Sequence, residues 1–128
     1  MTELELMEAG ELHYFYDEEI NELAFRAQEL VDKYNSTPAN DEEAKNQIIK
    51  ELLGKIGDYS CVKQPFHCDY GKFIEIGGGS FLNYDCIILG ACKVIAAGNP
   101  CCVIREITEE DKKFWEDKKE QYLKNKDL

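Results

Sequence analysis

The chain has 128 residues, of which 26 are acidic and 15 are basic, so its net charge at neutral pH is −11. This length suits one domain, and so acidic a surface argues against a general nucleic-acid binder or a protein held on an anionic membrane. No run of about 18 apolar residues predicts a membrane-spanning helix, and the acidic first residues lack the basic segment that opens a signal peptide. We therefore expect a cytoplasmic protein with no nucleic-acid or membrane partner.

The first residues predict a short helix followed by an aromatic loop. Residues 3–9 have helical character, and Gly10 is a suitable stop. The next segment, residues 11–16, contains three aromatic side chains and a histidine. We expect this segment to be a loop that packs against another part of the protein.

Two longer helices are predicted next. Asp17 is suited to cap a helix that reaches about Asn35, because apolar residues recur there at helical spacing. The sequence then breaks at residues 36–40, where a proline follows polar residues. Asp41 is suited to cap the second helix, and Gly57 is its expected exit.

Between residues 58 and 107 the apolar pattern has a period of six. Bulky residues recur at Tyr70, Ile76, Leu82, Ile88 and Val94, each preceded two positions earlier by a member of the set Cys68, Ile74, Ser80, Cys86 and Cys92, four of which are small. A fixed short period indicates a repeat architecture. One bulky and one small residue in every six is typical of a parallel β-helix, in which each hexad forms one short strand and one corner. We predict about two coils, with the N-terminal helices as caps because stacked repeats cannot cover their own ends.

The six cysteines follow no zinc-binding spacing. In a reducing cytosol they are expected to be free thiols. Cys68 and Cys86 are three hexads apart, however, and in a three-sided coil they would stack at about 4.8 Å, which is close enough for a disulfide. The alternative is that both are small apolar residues facing inward.

The last segment predicts a C-terminal helix capped by Thr108, with acidic residues in its first turn. The predicted organisation therefore has three parts: a helical segment at residues 1–57, hexads at 58–107 and a helix at 108–128. The fold class is mainly β with helical ends.

Several short blocks occur in the order in which one known family carries them. They are Met7–Leu12, Arg26–Leu30, Tyr34–Pro38, Leu52–Gly57, Pro65–Gly71, Phe81–Cys86 and Ala96–Ile107. On these blocks the chain resembles the maltose and galactoside O-acetyltransferases of the hexapeptide-repeat superfamily. The resemblance implies a left-handed β-helix and a trimer with active sites between subunits. It also implies transfer of an acetyl group from acetyl-CoA to a sugar hydroxyl, with a histidine as general base.

One part of the family pattern is missing. After Leu89, family members carry several more coils, which include the catalytic histidine and most of the CoA groove. Here residues 90–93 join the two flanking blocks directly. The join keeps the six-residue spacing to Val94, so interior residues stay inside. We predict a chain that folds but has no catalytic residue and is inactive; the alternatives are a non-catalytic oligomerising remnant and an internally deleted product.

A few site residues of the family pattern remain. Asp69 and Asn83 fall at sugar-contacting positions, although Asn83 also suits a corner with left-handed φ. Arg105 falls where a basic residue meets the nucleotide phosphates of CoA, or it pairs with a neighbouring glutamate. His67 is expected to face outward and His13 to lie in the aromatic loop, so neither replaces the missing base.

Overall fold

A computed structural model describes residues 1–90 and 92–103, and beyond them only residues 110, 113, 114, 116, 117, 120 and 124. Most of the predicted C-terminal helix, and Arg105, lie outside the described residues. Three helices are described: α1 (Glu3–Glu8), α2 (Glu18–Ser36) and α3 (Glu42–Leu52). The strands are β1 (Lys55–Ile56), β2 (Cys61–Val62), β3 (Phe66–Cys68), β4 (Ile74–Ile76), β5 (Phe81–Leu82), β6 (Cys86–Ile88), β7 (Val94–Gly98) and β8 (Cys101–Val103). None of the described helices is long and apolar enough to cross a membrane.

The helix starts follow their caps. The Asp17 carboxylate accepts from the Ile20 amide at the start of α2, and the Asp41 carboxylate accepts from the Ala44 amide at the start of α3. These two predictions are confirmed. The predicted exit of α3 at Gly57 is wrong, because the helix ends at Leu52 and the chain enters β1 at once.

The strands form three sheets with the connectivity of a parallel β-helix. Sheet A has the order β1-β4-β7-β8, sheet B pairs β2 with β5, and sheet C pairs β3 with β6. The parallel registers Lys55↔Glu75, Cys61↔Phe81 and Phe66↔Cys86 each join residues 20 apart. The chain therefore visits the three sheets in turn and returns to each after 20 residues.

The six-residue period holds at two corners and fails at the third. The steps from Ile74 to Ser80 and from Ser80 to Cys86 are hexads, but Val94, not a residue six after Cys86, pairs with Ile74. The third corner is thus two residues longer. Tyr70, the first bulky residue of the hexad count, lies in the equivalent corner of the preceding coil and is buried with helix residues. Cys92, the last small residue of the hexad count, is exposed.

This longer repeat removes the predicted stack of Cys68 and Cys86. Cys68 lies opposite Ile88, and Cys86 lies opposite Phe66, so the two cysteines are offset by two residues, about 6.6 Å along the strands. The six cysteines are free thiols. The alternative interpretation is confirmed for Cys68, which is buried, while Cys86 is half-buried.

Thiol reactivity provides a test of this arrangement. Burial, and then the neighbouring charge of Asp69, raise the pKa of Cys68 from 9.0 to about 11. In native protein we expect iodoacetamide to modify the exposed Cys92 and Cys102 and to spare Cys68, as measured by mass spectrometry of peptides. Since the folded state holds the Cys68 proton more tightly than the unfolded state, this thiol lowers stability as pH rises from about 9 towards 11. Equal labelling of Cys68 and Cys102 would contradict the arrangement.

The repeat ends in a hairpin. The chain turns at Gly98-Asn99-Pro100, with Gly98 at φ 107°. This turn reverses the chain, so that β8 pairs antiparallel with β7 through Ala97↔Cys102. Strand β8 therefore covers the edge of sheet A, and the parallel hexads predicted as far as residue 107 do not continue through it.

The core lies between the helices and the inner faces of the sheets. Its residues include Ala27, Leu52 and Phe66, none of which has exposed surface. A second cluster joins α1 and α2 to the Tyr70 corner. The aromatic loop was expected to pack against another part of the protein, but Tyr14, Phe15 and Tyr16 are each more than half exposed. Their rings meet edge-on, with Tyr16 against both Tyr14 and Phe15.

Gly54 lies between α3 and β1, where the backbone passes very close to the backbone of the next coil. A Cβ there would lie 2.2 Å from the Lys72 carbonyl oxygen. We expect Gly54→Ala to lower the free energy of unfolding by about 1–3 kcal/mol, since backbone on both sides must move. Gly78→Ala is the matched control, because its Cβ would meet its nearest atom at 3.4 Å. Urea unfolding measures both variants, and equal stability would contradict the packing.

Candidate functional site

The two predicted sugar-contacting residues lie at different corners. Asp69 directly follows β3, and Asn83 directly follows β5; both are exposed. Since β3 and β6 are parallel, Asp69 lies beyond the carboxyl end of sheet C and Asn83 before its amino end. One chain therefore does not bring them together, and Arg105 lies outside the described residues.

The structure of the corner at Asn83 differs from the predicted one, in which Asn83 itself had left-handed φ. The Asn83 Oδ1 accepts a hydrogen bond from the Tyr84 amide at 2.8 Å. The left-handed residue is Asp85, at φ 60°, and its amide donates to the Pro65 carbonyl at 3.0 Å. The interpretation of Asn83 as the left-handed corner residue is therefore wrong. Its amide nitrogen stays available on the surface, while Asp85 shapes the corner.

Neither histidine is held as an oriented base. His67 faces outward from the middle of β3, as predicted, opposite Ile87 of β6. His13 lies in the aromatic loop with its Nδ1 atom 3.0 Å from the Glu11 carbonyl oxygen. Within the described residues no carboxylate makes a hydrogen bond to either ring. A general base in this chemistry is normally oriented by such a partner.

The outer face of sheet C is apolar for an exposed surface. Tyr84, Ile87 and Leu89 are 63–70% exposed on or beside β6. The Lys63 ammonium lies 6.0 Å from the Tyr84 ring centroid, a distance at the outer limit of a cation–π contact. We call this surface, with His67, the sheet C face. It is the surface whose two ends carry Asp69 and Asn83.

Two grooves lie elsewhere on the molecule. One, of about 300 Å³, lies beside α1 and is lined by Glu8, Lys72, Phe73, Glu75 and Lys93, with a Lys93–Glu75 ion pair at 3.6 Å. The other, of about 250 Å³, lies between α3 and residues 56–60. Neither is lined by Asp69 or Asn83. Over the part of the chain that is described, no three histidine, cysteine, aspartate or glutamate side chains are grouped to hold a metal ion.

The sequence interpretation missed Lys45. This lysine is 7% exposed, although it belongs to a residue type that is almost never fully buried without a partner. The signal was present, since Lys45, Ile49 and Leu52 recur at helical spacing on the buried face of α3. A charged residue in that stripe marks a position where helix periodicity and side-chain chemistry disagree.

Comparisons with known proteins agree with this architecture. Residues 6–57 match the maltose acetyltransferase hexapeptide capping motif. Nodulation protein L of Rhizobium meliloti is 38% identical over 93 residues, 73% of this chain and 51% of the relative. The galactoside O-acetyltransferase of Escherichia coli is 26% identical over 77% of this chain and 49% of its own length.

A solved structure is similar as well. A hexapeptide-repeat acetyltransferase from Vibrio cholerae, complexed with acetyl-coenzyme A, is 35% identical with a TM-score of 0.69. The match covers 76% of this chain and 52% of that one. The chain thus spans about half the length of the curated relatives that it matches.

Proposed function

Because the chain belongs to the hexapeptide-repeat acetyltransferase family, we propose that it retains the acceptor side of a sugar O-acetyltransferase but does not itself transfer acetyl groups. The observation that carries this proposal is the state of the two histidines. His67 faces solvent, and His13 contacts a backbone carbonyl. Without a positioned general base, acetyl transfer is slowed by about 10²–10⁴-fold.

The sugar class rests on the family's galactoside and maltose members and on two side chains. Asp69 supplies a carboxylate acceptor, and Asn83 keeps an amide donor free beside its bond to Tyr84. Such groups are suited to sugar hydroxyls. Because they lie at opposite ends of the sheet C face, we propose that a complete acceptor site forms between neighbouring copies of a left-handed β-helix of about two coils, arranged as a trimer.

Support for the acetyl-CoA side is weaker. The similar Vibrio cholerae protein is complexed with acetyl-CoA. Here the exposed Cys102 follows the Gly98 turn, and a cysteine side chain offers no positive charge to a phosphate. Arg105 is the remaining residue that we propose for the nucleotide phosphates. We expect binding of acetyl-CoA to be weak in consequence.

An acetyltransferase assay tests the proposal. We expect incubation with acetyl-CoA and a panel of glucosides and galactosides to give no acetylated sugar above a protein-free background. Mass spectrometry of the sugar is the suitable readout, since the exposed Cys92 and Cys102 would consume a thiol reagent. A full-length relative serves as positive control. Product that grows in proportion to the protein would overturn the proposal, and His67→Ala and His13→Ala would then identify the base.

The second candidate function is non-catalytic self-association through the sheet C face. The observation that favours it is the exposure of Tyr84, Ile87 and Leu89 on one surface. Light scattering at moderate concentration would give a mass above that of one chain. A strictly monomeric mass would contradict this candidate and the trimeric acceptor site, and it would leave only the proposed lack of acetyl transfer untouched. A third alternative, an internally deleted product, would be supported if sequencing of the locus found the missing hexads.

A further inference from the structure

The Lys45 side chain is mostly buried, and within the described residues its ammonium makes no ion pair. Its side chain is 7% exposed on the face of α3 that packs towards the first coil. The ammonium lies 6.0 Å from the centroid of the Tyr34 ring. Within the described residues it makes no ion pair and no hydrogen bond. No buried side-chain nitrogen of the described residues lacks a hydrogen bond, so the Lys45 stem is buried while its ammonium still reaches solvent. The ammonium is therefore accessible to a dissolved anion.

The ammonium borders a recess that joins a larger groove. Tyr34, Lys45, Cys61 and Val62 line the recess. The recess shares the walls Glu42, Asn46, Ile49, Ile56 and Ser60 with the groove of about 250 Å³. The Ser60 hydroxyl donates to the Gly77 carbonyl at 2.8 Å, so this wall is fixed by the β-helix. Lys45 therefore lines a preformed recess that is continuous with the groove.

The charges around the cavity are balanced. Lys45 lies inside and Lys50 at the groove, while Glu42 and Asp58 supply two carboxylates. An anion alone would be attracted by the lysines and repelled by Glu42 and Asp58, and a cation alone would meet the reverse. A molecule that carries both charges satisfies both sets, and the two isoleucines offer it an apolar wall.

We propose that the groove between α3 and residues 56–60 binds a small zwitterion of the amino-acid class, with its carboxylate on Lys45 and its ammonium towards Glu42 and Asp58. The bound carboxylate supplies the partner that Lys45 lacks, and a charge-assisted hydrogen bond is among the stronger polar contacts. The groove lies at a different corner from Asp69 and Asn83. This binding therefore does not depend on acetyl transfer or on sugar binding.

Titration of ¹⁵N-labelled protein tests the proposal. The probes are glycine, L-serine and betaine, with acetate and ethylammonium as compounds that carry one charge. We expect saturable shifts of the Lys45, Asn46 and Ser60 amides with at least one zwitterion, and affinity at least about tenfold weaker for either singly charged compound. No saturable shift with any zwitterion would overturn the proposal. Acetate binding as tightly as the zwitterions would also overturn it.

Lys45→Met separates binding from a structural role, because methionine keeps an apolar stem and removes the charge. We expect affinity to fall about tenfold or more, while the thermal midpoint is not lowered. Lys33→Met, at an exposed lysine of α2, is the matched control and should bind as the wild type does. If Lys45→Met does not fold, Asp58→Asn on the exposed corner should weaken zwitterions and leave acetate unchanged or tighter. Unchanged zwitterion affinity in the folded Lys45→Met variant, or in Asp58→Asn, would overturn the proposal.

Discussion

Replacing Phe66 by alanine is expected to lower the free energy of unfolding by about 3–5 kcal/mol. The Phe66 side chain has no exposed surface and lies in the main core, where α2 and α3 meet the strands. Truncation removes the apolar contacts of the ring and leaves a cavity that rigid strands on two coils cannot close. Urea unfolding followed by circular dichroism measures the loss.

Phe25→Ala is the matched control for this experiment. Phe25 is on α2 and 73% exposed, so its truncation is expected to change stability by no more than about 0.5 kcal/mol. If Phe66→Ala does not fold, Phe66→Leu should give a smaller loss that can still be measured. Equal losses for Phe66→Ala and Phe25→Ala would mean that the core is not where the packing places it.

Asn35→Ala is expected to be nearly as damaging, although it removes only a polar side chain. The Asn35 Oδ1 accepts from the Phe66 amide at 2.9 Å, and its Nδ2 donates to the Phe66 carbonyl at 3.0 Å. One side-chain amide thus replaces a neighbouring strand for this residue of β3. Its loss leaves two backbone groups without partners, at about 1–3 kcal/mol each where they are buried.

Asn46→Ala provides the control for Asn35→Ala. Asn46 is exposed in the middle of α3, and the change is expected to be within about 0.5 kcal/mol of neutral. Asn35→Asp keeps the acceptor for the Phe66 amide and loses the donor to the Phe66 carbonyl, so it should also destabilise. A small effect of Asn35→Ala on the urea midpoint would show that water replaces the amide.

The end of α2 makes further contacts of this kind with the first coil. The Tyr34 hydroxyl donates to the Val62 carbonyl, and burial of this group raises its pKa. The Gln64 side-chain amide donates to the carbonyls of Tyr34 and Thr37 at 2.5 and 2.7 Å. The exposed edge of a strand invites pairing with other chains. Here helix residues occupy positions that a preceding coil would otherwise fill.

The helices could be predicted because their signals are local. Asp17 and Asp41 cap α2 and α3, and each helix has an apolar stripe at helical spacing. The end of α3 was misplaced because Ile56 continues that stripe in sequence but belongs to β1. A short apolar residue pair suits either structure. Ile56 is a strand residue because it pairs with Ile76 of the next coil, and the order of residues in the sequence does not reveal that pairing.

The sequence predicted the parallel β-helix correctly, but it predicted a repeat of 18 residues per coil where the structure has 20. Six-residue steps count correctly from Ile74 to Cys86. The next step in this series is Cys92, whereas Val94 is the residue that pairs with Ile74. Val94 also lies six residues after Ile88, and both are apolar, so the pattern gives no sign of the two additional corner residues. This error affected the relative positions of the candidate site residues most. Corners at Asp69 and Asn83 could be predicted, but their separation depends on strand register across coils.

The contacts between α2 and the first coil also bear on how the protein acquires its fold. They join residues 28 to 31 positions apart, with the helix earlier in the chain. At about 5–20 residues per second of synthesis, Asn35 precedes Phe66 by roughly two to six seconds, whereas a helix forms within about a microsecond. The α2 partner is therefore available on the ribosome before the first strand emerges. The strand edge that would recruit a neighbouring nascent chain is covered as it appears.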